Sequence, residues 1–161
     1  MRAADSIPTD QWKRSPGKGA WSAAELIAHL MTVERSIIAI ADRVLKKQPR
    51  HIPFFKRFHL PMAVVERRLI RRKTPIPLDL RLLREKEAML AELREVRDRT
   101  LAFMEGTKER DLSAYRWRHP FLGSFNTYEW FAFIASHEIR HEKQLRQIAT
   151  LLPKAIATLQ K

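Results

Sequence analysis

Apolar residues recur at steps of three and four along three stretches of the chain, the spacing that places them on one face of a helix. The first series is Leu26, Leu30, Val33, Ile37, Ile40 and Val44. It predicts a helix from the turn at Trp21-Ser22 to about Lys47, stopped by Pro49. A second series, Leu82, Leu83, Met89, Leu90, Leu93, Val96, Phe103 and Met104, predicts a helix capped by Asp79, running to about Glu105, with Gly106 as its stop. The third runs Trp130, Phe131, Ile134, His137, His141, Leu145 and Ile148, and predicts a helix to about Leu152, ending before Pro153.

Two of these helices carry a start signal. In Ser22-Ala23-Ala24-Glu25 the serine hydroxyl can accept the N–H three residues on while the glutamate reaches back, a capping box, and Trp21 and Leu26 occupy the positions of a hydrophobic staple. Asn126-Thr127-Tyr128-Glu129, flanked by Phe125 and Trp130, repeats the pattern. Three helices of roughly 26 residues, each about 39 Å long, bury one stripe apiece most economically by packing side by side. The expectation is an all-α bundle forming a single domain over residues 1–161.

The remaining segments punctuate the bundle. Residues 1–20, with Pro8, Pro16, Gly17 and Gly19, read as a lead-in and turn. Residues 48–78 are broken by Pro49, Pro53, Pro61, Pro75 and Pro77, with one short helix expected from Pro61 to Lys73. Residues 107–125 read as a loop, extended or turning around His119-Pro120.

Composition supports the helical reading: 161 residues, 45% hydrophobic, contain only four glycines. The absence of cysteine excludes disulfides and thiolate ligands, so any metal must be held by imidazole or carboxylate. It also suits a cytoplasmic location. No signal-like segment and no stretch of 18 apolar residues appears, so no membrane span is expected. The net charge of +13 fits either an anionic partner or solvated basic helix faces; the basic residues are spread through every segment, which favours solvated faces. The densest run, Arg67-Arg68-x-x-Arg71-Arg72-Lys73, is read the same way, and no sequence-specific nucleic-acid motif accompanies it.

His137 and His141 occupy stripe positions where leucine or isoleucine would be usual, so both rings point inward on one helix face. Two buried imidazoles need partners. Buried polar groups would serve, and so would one divalent cation, for which His-x-x-x-His on a helix is a recurrent ligand pair. His29, three residues after Leu26 and four before Val33, points inward from the first long helix. Three inward rings on two helices make a full protein ligand set with a position left for water or substrate. Glu138 and Glu142 each follow a histidine by one residue, and are expected to point off the shared face rather than at the metal as a zinc protease's glutamate does. His51 and His59, in the proline-broken region, read as solvated or locally bonded imidazoles. Among the aromatics around the last helix's entry, Trp117, His119 and Phe121 are the candidates for a pocket wall.

Trp21-Ser22-x-x-Glu25-x-x-x-His29-Leu30, His119-Pro120-x-x-Gly123, Glu129-Trp130 and His137-x-x-x-His141-x-x-Gln144 together resemble the DinB/YfiT-like superfamily over about residues 12–150. The resemblance implies an up-down-down-up four-helix bundle with one divalent ion, zinc, nickel or iron, on His29, His137 and His141. One departure is evident: relatives begin with a full helix, whereas about ten residues precede Trp12 here, so the first helix is expected to be shortened. A groove left open by that shortening would be an association site, and a homodimer is expected. The resemblance further implies a small-molecule substrate and a low-molecular-weight thiol as cosubstrate, hence thiol S-transferase-like or hydrolase-like chemistry. The alternative is a non-catalytic stress-response or binding module whose metal is structural or vestigial.

Overall fold

The computed structural model describes residues 2–49 and 79–159. The expected helix Pro61–Lys73, the basic run within it, His51 and His59 all lie outside the described residues. The elements are α1 (Arg2–Asp5), α2 (Ala23–Leu45), α3 (Lys86–Gly106), β1 (Arg116–His119), β2 (Gly123–Asn126) and α4 (Thr127–Leu159). The chain is mostly helical, as expected, with one small two-stranded sheet that the hydrophobic pattern did not anticipate.

Both capping boxes form. Ser22 Oγ accepts from Glu25 N at 3.2 Å, and Ser22 N donates to Glu25 Oε2 at 2.7 Å. Glu129 N donates to Asn126 Oδ1 at 2.8 Å and Asn126 N to Glu129 Oε2 at 2.6 Å. Each box satisfies two groups that a helix start otherwise leaves unpaired. The rings of Phe125 and Trp130 meet edge-on with centroids 5.2 Å apart, so the second staple closes too.

Three expected boundaries shift. Asp79 does cap, but what it heads is a single 3-10 turn: its Oδ1 accepts from Arg81 N at 3.0 Å, and the turn covers Leu80–Leu82. The α-helix starts only at Lys86, after Glu85 in an extended conformation. At the other end, α4 continues through Pro153 to Leu159 instead of stopping before it. Proline removes one N–H and crowds one carbonyl, a cost that a helix already nucleated over 26 preceding residues can carry. The long helices, of 23, 21 and 33 residues, are therefore unequal. Finally, residues 116–126 pair as an antiparallel hairpin, Trp117 opposite Phe125 and His119 opposite Gly123. Gly123 takes φ 101°, a conformation that a Cβ disfavours, and so completes the reversal after Pro120-Phe121-Leu122.

Among the described residues, two buried clusters make up the core. One joins the N-terminal segment (Ala3, Ala4, Ile7, Trp12), the first half of α2, Met89, Leu90 and Val96 of α3, and Leu145, Ile148 and Leu152 of α4. The other joins Val33 and Ile37 of α2 to Leu122, Phe125, Trp130, Phe133 and Ile134. Early α2 thus meets late α4 and late α2 meets early α4, so these two helices run antiparallel.

The first helix, α1, is four residues long. The stretch around it is held in place by polar contacts: the buried Lys86 donates through Nζ to Asp5 O at 2.9 Å and Ile7 O at 2.6 Å, and Ala3 N donates to Glu142 Oε1 at 3.1 Å. Trp12, 1% exposed, donates its indole N–H to Met89 Sδ at 3.4 Å.

Candidate metal centre

The seam between the two clusters is where the histidines lie. On α2, His29 sits between Leu26 and Met31 of the first cluster and Val33 of the second; on α4, His137 and His141 sit between Ile134 and Leu145. The capping box at Ser22 sets the register of α2 two turns ahead of His29, and that at Asn126 does the same three turns ahead of His137.

The three rings converge. His29 Nε2 lies 3.3 Å from His137 Nε2, and His141 Nε2 lies 3.1 Å from the same atom. One ligand nitrogen from each residue falls within 4.8 Å of the other two. Two nitrogens bound at 2.0–2.1 Å to a shared tetrahedral ion sit about 3.3 Å apart, so these separations fit a common ion. Hydrogen bonding alone serves them less well, because His137 Nε2 carries either one lone pair or one N–H and so can bond only one of its two neighbouring rings at a time.

Protonation is no remedy at neutral pH. Burial pushes the His29 pKa down to about 4, with the Arg140 guanidinium adding to the effect. Burial likewise holds His137 well below the ordinary range, reinforced by His141, His29, Arg140 and His119. Neutral rings are the form in which imidazole binds metal. The donor His141 Nδ1–H meets Gln144 Oε1 at 3.0 Å, which leaves the Nε2 lone pair facing the other rings.

Aromatic rings pack on His29 and His137. Trp21 lies 5.1 Å from His29 between centroids, and Phe133 stacks on His137 at 5.2 Å and 18°. His29 and His141 are buried, while His137 keeps partial access to solvent. Of the aromatics named from the sequence, His119 is the one tied to this group: its ring lies 4.9 Å from Phe133. Its Nδ1 accepts from Phe121 N at 3.1 Å and Leu122 N at 3.2 Å, so it also organises the hairpin turn. Burial lowers its pKa to about 4. Trp117 instead stacks flat on Trp130, centroids 5.1 Å apart, and Phe121 is exposed at the hairpin tip.

The sequence profile of the DinB superfamily matches residues 1–145. The chain belongs to the DinB superfamily. An uncharacterized relative, YuaE of Bacillus subtilis (strain 168), is 26% identical over 150 residues, covering 92% of this chain and 90% of the relative. Within this DinB-superfamily chain the three-histidine group is one that could hold a metal ion, and none of its three donors is a carboxylate.

Two residues beside the group, Glu34 and Arg97, were not singled out from sequence. Glu34, 3% exposed, accepts a bidentate pair from Arg97 at 2.9 and 3.1 Å, and Arg97 also binds Glu138. These three residues and His137 line one narrow crevice with Leu30, Val33, Leu93 and Ile134. The order His137-Glu138-x-x-His141 is that of zinc hydrolases, whose glutamate bends toward the ion. Here Glu138 bends to Arg97. A glutamate beside the stripe and an arginine on the facing helix are weak signals, because neither announces its partner before the helices are docked.

Proposed function

We propose that His29, His137 and His141 hold one divalent ion, zinc, nickel or iron, and that this DinB-superfamily chain acts as a metal-dependent enzyme on a small molecule with a low-molecular-weight thiol as cosubstrate, in the manner of a thiol S-transferase, or with water as a hydrolase. The observation that carries the reading is the meeting of three imidazole Nε2 atoms from two helices. An ion bound there would supply Lewis acidity and bring a thiol or water towards its anionic form near neutral pH.

The chain's own residues do the rest. Gln144 fixes the ring of His141. Trp21 and Phe133 flank His29 and His137 and exclude water from their sides. The partial exposure of His137 leaves an approach, and His119 walls it beyond Phe133. The absence of cysteine means that a thiol nucleophile has to arrive with the cosubstrate. We read the helices as the up-down-down-up bundle of the superfamily, to which the antiparallel α2 and α4 conform.

Elemental analysis of purified protein beside a chelator-treated control tests the site: about one metal per chain is expected, and none after His137→Ala. Assay of the loaded protein with thiol and electrophile pairs, and with simple esters, tests the chemistry. A second reading, a structural ion, is favoured by the way the ligands bridge α2 and α4. It predicts that chelation lowers the melting temperature while no substrate turns over.

A further inference from the structure

The two ligands on α4 are spaced by their own helix: His137 and His141 stand one turn apart whatever α4 packs against. The distance from His29 to His137 is different in kind. It spans two helices, and the docking of α2 on α4 sets it. Apolar burial at that level, by Leu30 and Val33 of α2, Leu93 of α3 and Ile134 of α4, is non-directional and does not by itself fix a spacing.

Arg97 of α3 supplies a directional tie. It donates from Nε to Glu34 Oε1 at 2.9 Å and from Nη2 to Glu34 Oε2 at 3.1 Å, and Nη2 also binds Glu138 Oε2. Glu34 lies five residues after His29 on α2, and Glu138 directly follows His137 on α4. One planar guanidinium therefore grips both ligand-bearing helices. All three side chains line the crevice that His137 also lines. Glu34 is buried, so its pair with Arg97 is screened little by salt.

We propose that Arg97 is a positioning residue for the three-histidine centre: through Glu34 and Glu138 it locks α2 against α4 and so sets the spacing of His29 from His137. The proposal rests on the metal reading above and deepens it, since it names what holds the ligand set in register. Arg97 acts through the two glutamates, not as a ligand.

The test reads the zinc dissociation constant of the full chain by competition with a chromophoric chelator, on variants that circular dichroism shows to be folded. Glu138→Ala cuts the arm to α4, and its affinity is expected to fall about tenfold or more, the range for loss of a group that orients ligands. Glu138→Gln loses the same charge but still accepts from Arg97, and should stay within about threefold of the unaltered protein. Glu34→Leu with Arg97→Met removes one charge of each sign, so net charge is kept while the grip is lost; it too should bind about tenfold more weakly. Unchanged affinity in Glu138→Ala or in the folded double variant overturns the proposal. Equal losses in Glu138→Ala and Glu138→Gln do so as well, because charge alone would then explain them. A merely structural network would lower the urea midpoint of the metal-free variants and leave the dissociation constant of the folded protein where it was. Glu138 is partly exposed and its replacement leaves the Glu34–Arg97 pair whole, so its two variants decide even if the double variant fails to fold. Failure of the unaltered protein to retain zinc sinks the metal reading and this inference together, whereas retained zinc with no loss in Glu138→Ala sinks this inference alone.

Discussion

His29 and His137, 108 positions apart in the chain, bring their Nε2 atoms to 3.3 Å. His137 is the central ring of the three, because His141 Nε2 also lies 3.1 Å from it. A contact of this kind exists only once α2 and α4 have docked. The unfolded chain can offer an ion no more than the local pair His137 and His141.

Metal should therefore stabilise the folded state. At an ion concentration about a hundred times the dissociation constant the gain is about 2.7 kcal/mol. For a chain of this size that raises the melting temperature by about 5–10 °C. Scanning calorimetry with zinc and with chelator is expected to show this difference, and His137→Ala to abolish it. A difference that persists in His137→Ala would place the ion elsewhere.

Gln144 should tune affinity without being a ligand. Its Oε1 meets His141 Nδ1 at 3.0 Å, and loss of such an outer partner weakens metal binding by about 10- to 100-fold. Competition with a chromophoric chelator is expected to show that loss in Gln144→Leu. Gln144→Glu, which keeps an acceptor at the same place, should retain the affinity. Equal affinity in Gln144→Leu would remove Gln144 from the site.

Acid should destabilise the metal-free protein before its carboxylates titrate. His119 and His29 are both held down to about 4 by burial, His29 with the help of Arg140. In the unfolded chain they take up protons near pH 6.5. Between those values the unfolded state binds more protons, so stability is full above pH 6.5 and falls as pH drops towards 4. Protonating His119 at Nδ1 also ends its acceptance from Phe121 N and Leu122 N. Urea titrations of the metal-free protein should give a lower midpoint at pH 5 than at pH 7. An unchanged midpoint would mean that these rings are not buried as neutral bases.

The Glu34–Arg97 pair should behave as a buried ion pair. Truncating Glu34 alone leaves the partly exposed Arg97 with Glu138 as its remaining partner and is expected to cost about 1–2 kcal/mol. Replacing both, as Glu34→Leu with Arg97→Met, should recover most of that loss. A double-mutant cycle by denaturant titration measures the coupling, and strict additivity would show that the pair contributes nothing.

Much of this arrangement was legible in the sequence because it depends on local chemistry. Ser22 with Glu25, and Asn126 with Glu129, mark helix starts through bonds spanning three residues, and both boxes form. The stripes place His29, His137 and His141 facing inward, and the structure brings the three together. What escaped depends on contacts distant in sequence or on close competition between local states. Asp79 satisfies a cap, but of a 3-10 turn, which sequence pattern does not separate from a helix start. The strands of the hairpin are four residues each, too short for alternation to register, and they are held by packing on Trp130 as much as by pairing. Pro153 reads as a stop until the length of the helix preceding it is known.

At the N-terminal end of the described residues, the four helical residues of α1 and the indole of Trp12 pack into the first core cluster. The closure behaves like a stopper: Trp12 is the bung, and the ammonium group of Lys86 is the wire across it, fastened to two carbonyls. Because Ala3 is tied to the glutamate that follows His141, a disturbance at the front of the chain has a direct mechanical route to the helix that carries two of the three imidazoles.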